Sequence, residues 1–90
     1  MGEMMTDKYL PLGTVVLLDG ANVAMMITGY RIKDVDNNIV YDYCGCVYPT
    51  GIYDYSNLDT FNAEQIKRVI FYGYCDDEAK DFFDKLKNIS

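Results

Sequence analysis

The chain has 90 residues, of which 50% are hydrophobic and 24% are charged, and this composition is typical of one folded domain. Its net charge is −6, from 14 acidic and 8 basic residues. Proteins bind nucleic acid through clustered lysine and arginine, so this balance argues against a nucleic-acid partner. Histidine is absent, which removes the usual general base at neutral pH and the commonest metal ligand.

The N-terminal residues carry no recognisable targeting signal. Residues 1–9 lack the basic and apolar stretches of a secretory signal, and we expect a flexible segment there, followed by a single domain at residues 10–90. No apolar run approaches the ~20 residues that a membrane-spanning helix requires. The sequence therefore predicts a cytoplasmic protein that does not insert into a membrane.

Two strands near the N-terminus are predicted to form a hairpin. Residues 10–18 contain a β-branched run typical of a buried strand, and residues 24–32 form the second strand. The dipeptide Asp19-Gly20 between them is a strong turn signal. Gly29 lies inside the second strand and predicts a bulge or a sharp bend.

A third strand is predicted at residues 39–48, followed by a loop or a short irregular strand at residues 52–60. Because side chains alternate along a strand, the third strand has two distinct faces. One face carries Ile39, Tyr41, Tyr43, Gly45 and Val47, and the other carries Val40, Asp42, Cys44, Cys46 and Tyr48.

The C-terminal third predicts a turn, a strand and a helix. Asn62 and Gln65 have the spacing of a capping box, which predicts a helical turn. Residues 69–74 are apolar on both faces and predict a short central strand. Asp76 is the expected N-cap of an amphipathic helix whose apolar residues recur three and four apart. The predicted fold class is α+β: a small antiparallel β-meander or partly open barrel of about four strands with a C-terminal amphipathic helix.

The three cysteines indicate free thiols and no catalytic or metal site. An odd number cannot pair completely within one chain, and a zinc site of Cys44, Cys46 and Cys75 would lack a fourth ligand. We expect reduced thiols that pack as small hydrophobic groups. Serine and cysteine have no neighbouring base, so the sequence predicts a protein that is not an enzyme and has no cofactor.

Tyrosine is the compositional anomaly, with 9 residues in the chain. Tyrosine side chains suit protein interfaces because they are large, rigid and amphipathic, although some can equally belong to the core. Stacking on single-stranded nucleic acid would require interleaved basic residues, which are missing here. The predicted partner-binding residues are the cluster Tyr41, Tyr43, Tyr48, Tyr53 and Tyr55.

Three ordered motifs resemble those of the DUF4176 family. Residues 10–18 (LPLGTVVLL) and 25–30 (MMITGY) are similar to the opening motif of that family. Residues 41–51 (YDYCGCVYPTG) resemble its central motif, and residues 61–74 (FNAEQIKRVIFYGY) resemble its third. The resemblance runs from about residue 10 to residue 86, with one departure at residues 19–22 (DGAN), where the family tends to show lysine and glycine.

The resemblance implies an accessory role and supplies no catalytic residues. Members of the family are small uncharacterised proteins of Gram-positive bacteria, often encoded near type VII secretion and LXG-toxin loci. This context implies an adaptor or chaperone-like protein that binds a helical secretion substrate or a toxin. One alternative is an immunity-type protein that blocks a co-encoded toxin. Another is a barrel that holds a small molecule between Tyr30, Tyr43 and Tyr72, and a homodimer is compatible with each.

Overall fold

A computed structural model describes residues 9–89 of the chain. Its elements are five strands and a helix: β1 Val15–Leu18, β2 Ala24–Asp34, β3 Ile39–Val47, β4 Asp59–Phe61, β5 Ile66–Phe71 and α1 Asp77–Ile89. The strands form one antiparallel sheet in the order β4-β3-β2-β1-β5, and the helix follows the last strand. Short 3-10 turns lie at Tyr55–Asn57 and Ala63–Gln65.

The α+β class and the antiparallel order of the first strands are confirmed, whereas closure into a barrel is not observed. The sheet is open, because β4 and β5 are its two edges and do not pair with each other. The expectation of a central strand at residues 69–74 is wrong. The strand is Ile66–Phe71, and it pairs only with β1. Its apolar residues on both faces reflect an exposed edge, where Ile70 and Phe71 reach solvent.

A bulge in β2 aligns the core side chains of its two halves. Ile27 pairs with Gly45 but Gly29 pairs with Cys44, so β2 contains one extra residue at this point. A Cβ atom on Gly29 would lie 2.9 Å from the Cys44 Sγ, which explains why glycine occupies the bend. The extra residue brings Ile27 and Tyr30 onto the same side of the sheet. The bulge predicted from Gly29 is confirmed.

Helix α1 packs on one side of the sheet and begins where the sequence predicts. The Asp76 Oδ1 accepts a hydrogen bond from the Ala79 amide at 3.0 Å, as an N-cap does. Leu86 is buried and Phe83 packs against the core, while the opposite side of the helix is charged. None of the described helices is long and apolar enough to cross a membrane.

The core lies between α1 and the sheet and includes one residue that was assigned to the flexible segment. Tyr9 is only 3% exposed, and its ring centroid lies 5.6 Å from that of Tyr30. The rest of the predicted segment, residues 1–8, lies outside the described residues. The buried apolar cluster consists of Tyr9, Val16, Met25, Ile27, Tyr43, Phe61 and Leu86.

Two tyrosine hydroxyls hold the chain next to Tyr9 in place. The Leu10 amide donates to the Tyr43 hydroxyl at 2.9 Å, and the Tyr30 hydroxyl donates to the Leu10 carbonyl. Both backbone groups of Leu10 are therefore satisfied by side chains from the middle of the sheet, which is what burial of a backbone segment requires. These two bonds hold residues 9–11 in place between the helix and the sheet.

Candidate functional site

The structure separates the five tyrosines of the predicted partner-binding cluster. Tyr48, Tyr53 and Tyr55 are exposed in the connection between β3 and β4, at 57%, 72% and 91% respectively. Tyr41 is half-buried on β3, where it pairs with Ile32 of β2. Tyr43 is fully buried. Three of the five are therefore exposed in one connection, and the other two do not belong to it.

Tyr43 is a core residue and does not belong to the candidate surface. Its ring stacks on Phe61 with centroids 5.5 Å apart, and its hydroxyl accepts from the Leu10 amide. Burial raises the pKa of Tyr43 well above its usual range, which keeps the phenol neutral. Alternation places Tyr41 and Tyr43 on one face of β3. Only Tyr43 lies within the aromatic cluster that faces α1, which is why sequence spacing did not distinguish the two.

The connection that carries the three exposed tyrosines, residues 48–58, is called the tyrosine loop below. Its first half turns back on β3, because the Gly51 amide donates to the Val47 carbonyl at 2.8 Å. Gly51 has φ +77°, in the left-handed region that favours glycine. This turn sets the direction in which the loop leaves the sheet.

Local hydrogen bonds fix the second half of the tyrosine loop. The Asp54 carboxylate accepts from the Ser56 amide at 2.8 Å and from the Ser56 hydroxyl, and these bonds lower the pKa of Asp54. The Asn57 Oδ1 accepts from the Asp54 amide at 3.2 Å. Tyr53 and Tyr55 flank the capped residue, so their positions are set by an ordered backbone. An ordered loop loses less conformational entropy when a partner binds.

The chemistry of the tyrosine loop favours recognition of a protein. Besides its tyrosines it exposes Ile52 and Leu58, and it contains no lysine or arginine. Exposed aromatic and aliphatic side chains around one carboxylate provide contact area and hydrogen-bonding capacity, which are the properties of interface anchors. In residues 9–89, no group of three or more acidic or cysteine side chains is arranged to hold a metal ion.

Two of the three thiols pack as predicted, whereas Cys75 is exposed. All three cysteines are free, with Cys44 and Cys46 buried on one side of β3 and Cys75 exposed before α1. The Cys44 Sγ lies 3.5 Å from the Thr28 hydroxyl. The two buried thiols thus pack as small side chains within the sheet.

The three tyrosines suggested for a small-molecule pocket do not surround one cavity. An open cavity of about 530 Å³ lies between residues 9–11, residues 72–75 and α1, and of the three it contacts only Tyr72. A second cavity, of about 360 Å³, is lined by Tyr30 and Phe82. Tyr43 lines neither of these two cavities.

An apolar surface on the side of the sheet opposite α1 is not evident from the sequence. Val16 points into the core, so its neighbours Val15 and Leu17 point the other way. Residues that pair directly across antiparallel strands share a face, which extends this surface over two further strands, β2 and β5. The sequence signal was the uninterrupted apolar run of β1, which alternation alone would not require. This surface, called the open face below, consists of Val15, Leu17, Ala24, Met26, Arg68 and Phe71.

Comparison with known proteins identifies one family. A model described as a domain of unknown function, DUF4176, matches residues 9–82. No curated protein and no solved structure matches the chain.

Proposed function

Because the chain belongs to the DUF4176 family, whose function is unknown, we propose a role from its own surface: a non-enzymatic module that binds another protein. The ordered and exposed tyrosine loop is the observation that carries this proposal. In line with the context implied by the family resemblance, the module is an accessory adaptor or chaperone-like protein for type VII secretion substrates and acts in the cytoplasm.

Charge supports a protein partner over a nucleic acid. The net charge of −6 repels phosphates, and the tyrosine loop offers aromatic rings without the basic residues that follow a phosphate backbone. The exposed carboxylates favour a partner with basic residues at the edge of its interface. Rim charges of this kind act mainly on the association rate, and their effect decreases with salt.

The chemistry of the chain supports binding over catalysis. Histidine is absent, and the two cysteines in the sheet are buried away from any substrate. Cys75 is exposed, but its sequence neighbours are Tyr74 and Asp76, and neither a histidine nor a lysine stands beside it to favour the thiolate.

A capture experiment with matched variants tests the proposal. The tagged full chain is expressed in its own bacterium and recovered from cytosol at low and moderate salt, and bound proteins are identified by mass spectrometry. Tyr55→Ala is expected to reduce capture of the true partner at least tenfold, whereas Tyr74→Ala is expected to leave it unchanged. Tyr74 is a suitable control because it is also a tyrosine, is 81% exposed and lies outside the loop. Equal capture by both variants would contradict the proposal that the tyrosine loop binds the partner.

The acidic charge favours a second candidate, an immunity-type protein that blocks a basic toxin. Opposite charges accelerate such encounters, and speed matters when a toxin must be neutralised in the cell that makes it. Survival separates the two roles. Co-expression of the chain with the captured protein's toxic domain protects the cell in the immunity case, whereas an adaptor need not protect.

A further inference from the structure

The open face is an apolar surface that spans three strands of the sheet, β5, β1 and β2. Val15 pairs with both Met26 and Phe71, and Met26 pairs with Cys46, so these residues form one cross-strand row. Exposure increases along the row from the buried Cys46, through half-buried Met26 and Val15, to Phe71 at 61%. None of the open-face residues belongs to the buried cluster under α1 or packs against it.

A second row connects the open face with the tyrosine loop. Leu17 pairs with Arg68 on one side and Ala24 on the other. The Tyr48 amide donates to the Ala24 carbonyl at 2.9 Å, which places the start of the tyrosine loop at the end of this row. By alternation from Cys46, the Tyr48 side chain points to the same side as the open face. The two surfaces are therefore continuous.

We propose that the open face binds one amphipathic helix of a partner protein, with an acidic side chain of that helix against Arg68 and the helix extending to the tyrosine loop. The proposal rests on the protein-binding function above and specifies the kind of segment that is bound. Its width supports a helix, because three strands span about 10 Å and a helix with its side chains is about 10–12 Å across. The other side of the same sheet is covered by a single amphipathic helix, α1.

The size of the open face argues against a second copy of the chain as the occupant. Two rows of side chains about 7 Å apart across three strands offer roughly 200 Å². A stable protein interface needs about 800 Å² from each partner. A bound helix that extends past the open face also contacts the adjoining tyrosine loop, which adds contact area.

Arg68 gives the surface its charge preference. It is exposed, it is the one charged residue of the open face, and among residues 9–89 no carboxylate forms an ion pair with it. A guanidinium group favours a carboxylate partner because it can donate two parallel hydrogen bonds. An acidic residue beside the apolar stripe of the bound helix would satisfy it.

Two neighbouring methionines allow a direct test. Met25 is buried in the core and Met26 lies on the open face, so one residue type reports on both sides of the sheet. In the full chain with 13C-labelled methionine methyls, assigned by Met25→Leu and Met26→Leu variants, a soluble nitroxide should broaden the Met26 methyl signal and spare that of Met25. A protected Met26 in a chain that sediments as a dimer would overturn the proposal, because a second copy would then occupy the face.

A synthetic peptide tests the occupant. The probe is a helical peptide of about 18 residues with an apolar stripe flanked by glutamate, and the control is a scrambled peptide of equal composition without a stripe. The striped peptide should shift the Met26 methyl and leave Met25 unchanged, with little effect from the scrambled peptide. Equal shifts of both methyls, or equal effects of both peptides, would overturn the proposal.

Variants of exposed residues assign the contacts. Phe71→Ala should weaken binding of the striped peptide about tenfold, as loss of an aromatic anchor does. Arg68→Glu should weaken it about two- to fivefold, the range of an exposed ion pair. Lys33→Glu makes the same charge change at the far end of β2 and should have no effect beyond twofold. If Arg68→Glu and Lys33→Glu behave alike, the acidic contact is wrong.

The two proposals fail in different ways. If the peptide does not bind but capture of the cellular partner still depends on Tyr55, the helix proposal is wrong and the binding function stands. If the peptide binds as expected but no captured protein depends on Tyr55, the tyrosine loop is the wrong surface for the proposed function.

Discussion

The two sides of the sheet are built by the same strands but differ in what covers them. On the side under α1, Val16, Met25 and Tyr43 are buried in a cluster that the helix completes. On the other side, Val15 and Met26 are half-buried and Phe71 is exposed, although these side chains are equally apolar. Strand alternation decides which side a residue occupies, and tertiary packing decides which side becomes the core.

The largest expected effect on stability comes from replacing a buried tyrosine of the predicted cluster by alanine, compared with an exposed one. Tyr43→Ala should lower the free energy of unfolding by about 3–5 kcal/mol, because it empties a large aromatic site under the helix. Tyr55→Ala should change it by less than about 0.5 kcal/mol, because an exposed side chain loses few contacts on truncation. Urea denaturation of both variants measures the difference. Similar values for the two would contradict the placement of Tyr43.

This contrast shows what the sequence of β3 could and could not reveal. Alternation correctly separated Tyr43 from Cys44 and Cys46, because it depends only on local backbone geometry. It could not show that α1 lies over Tyr43 and not over Tyr41, since the position of the helix depends on contacts distant in sequence. The sequence therefore grouped these tyrosines by their positions along the chain, but it could not identify which of them are exposed.

Other features of the fold show the same contrast: those with local causes were predicted from the sequence, and those that depend on distant contacts were not. The bulge at Gly29 and the helix start at Asp76 were predicted, since each depends on one or two residues with a specific backbone role. The pairing of β5 with β1 and the burial of Tyr9 were not. Both depend on partners far along the chain, and the hydroxyls that hold Leu10 come from residues 20 and 33 positions away. Sequence patterns carry no direct record of such pairs.

The adjacent methionines sharpen the comparison between the two sides. Met25→Ala should cost about 2–4 kcal/mol, since it leaves a cavity in the packed cluster. Met26→Ala removes the same atoms from the open face and should cost about 1 kcal/mol, because that side chain is partly exposed and less tightly packed. The comparison holds residue type and strand constant. Equal losses would mean that the open face is covered in the free protein.

A smaller effect is expected from the cap of the covering helix. Asp76→Ala removes the acceptor of the Ala79 amide and should destabilise the fold by about 1 kcal/mol. Asp54→Ala, a similar cap in the tyrosine loop, should leave the urea midpoint nearly unchanged, because no buried cluster depends on that turn. It should instead weaken partner capture, since the positions of Tyr53 and Tyr55 depend on the turn. A larger stability loss for Asp54→Ala than for Asp76→Ala would reverse the proposed roles of the two caps.

The smallest effect is expected in alkali, and it concerns only the covered side. Burial first, and the nearby Cys75 second, raise the pKa of Tyr30 from 10.0 to about 12, and burial also raises the pKa of Tyr43. The folded state therefore retains phenol protons that the unfolded chain releases, so stability is fully present below pH 10 and falls as the pH rises from 10 towards 12. Tyr30 is partly exposed, and solvent screening keeps its share small.

Melting temperatures between pH 9 and pH 11.5 measure this decline. Tyr30→Phe should make it shallower, because one group with different proton affinities in the two states is removed. The matched control is Tyr74→Phe, the same substitution at an exposed tyrosine whose hydroxyl lies 3.4 Å from the Asp76 carboxylate. The pH dependence of the melting temperature thus tests the burial of the covered side, as does the stability loss of Met25→Ala. If Tyr30→Phe leaves the alkaline slope intact, the Tyr30 hydroxyl is accessible to water and the helix does not shield that part of the sheet.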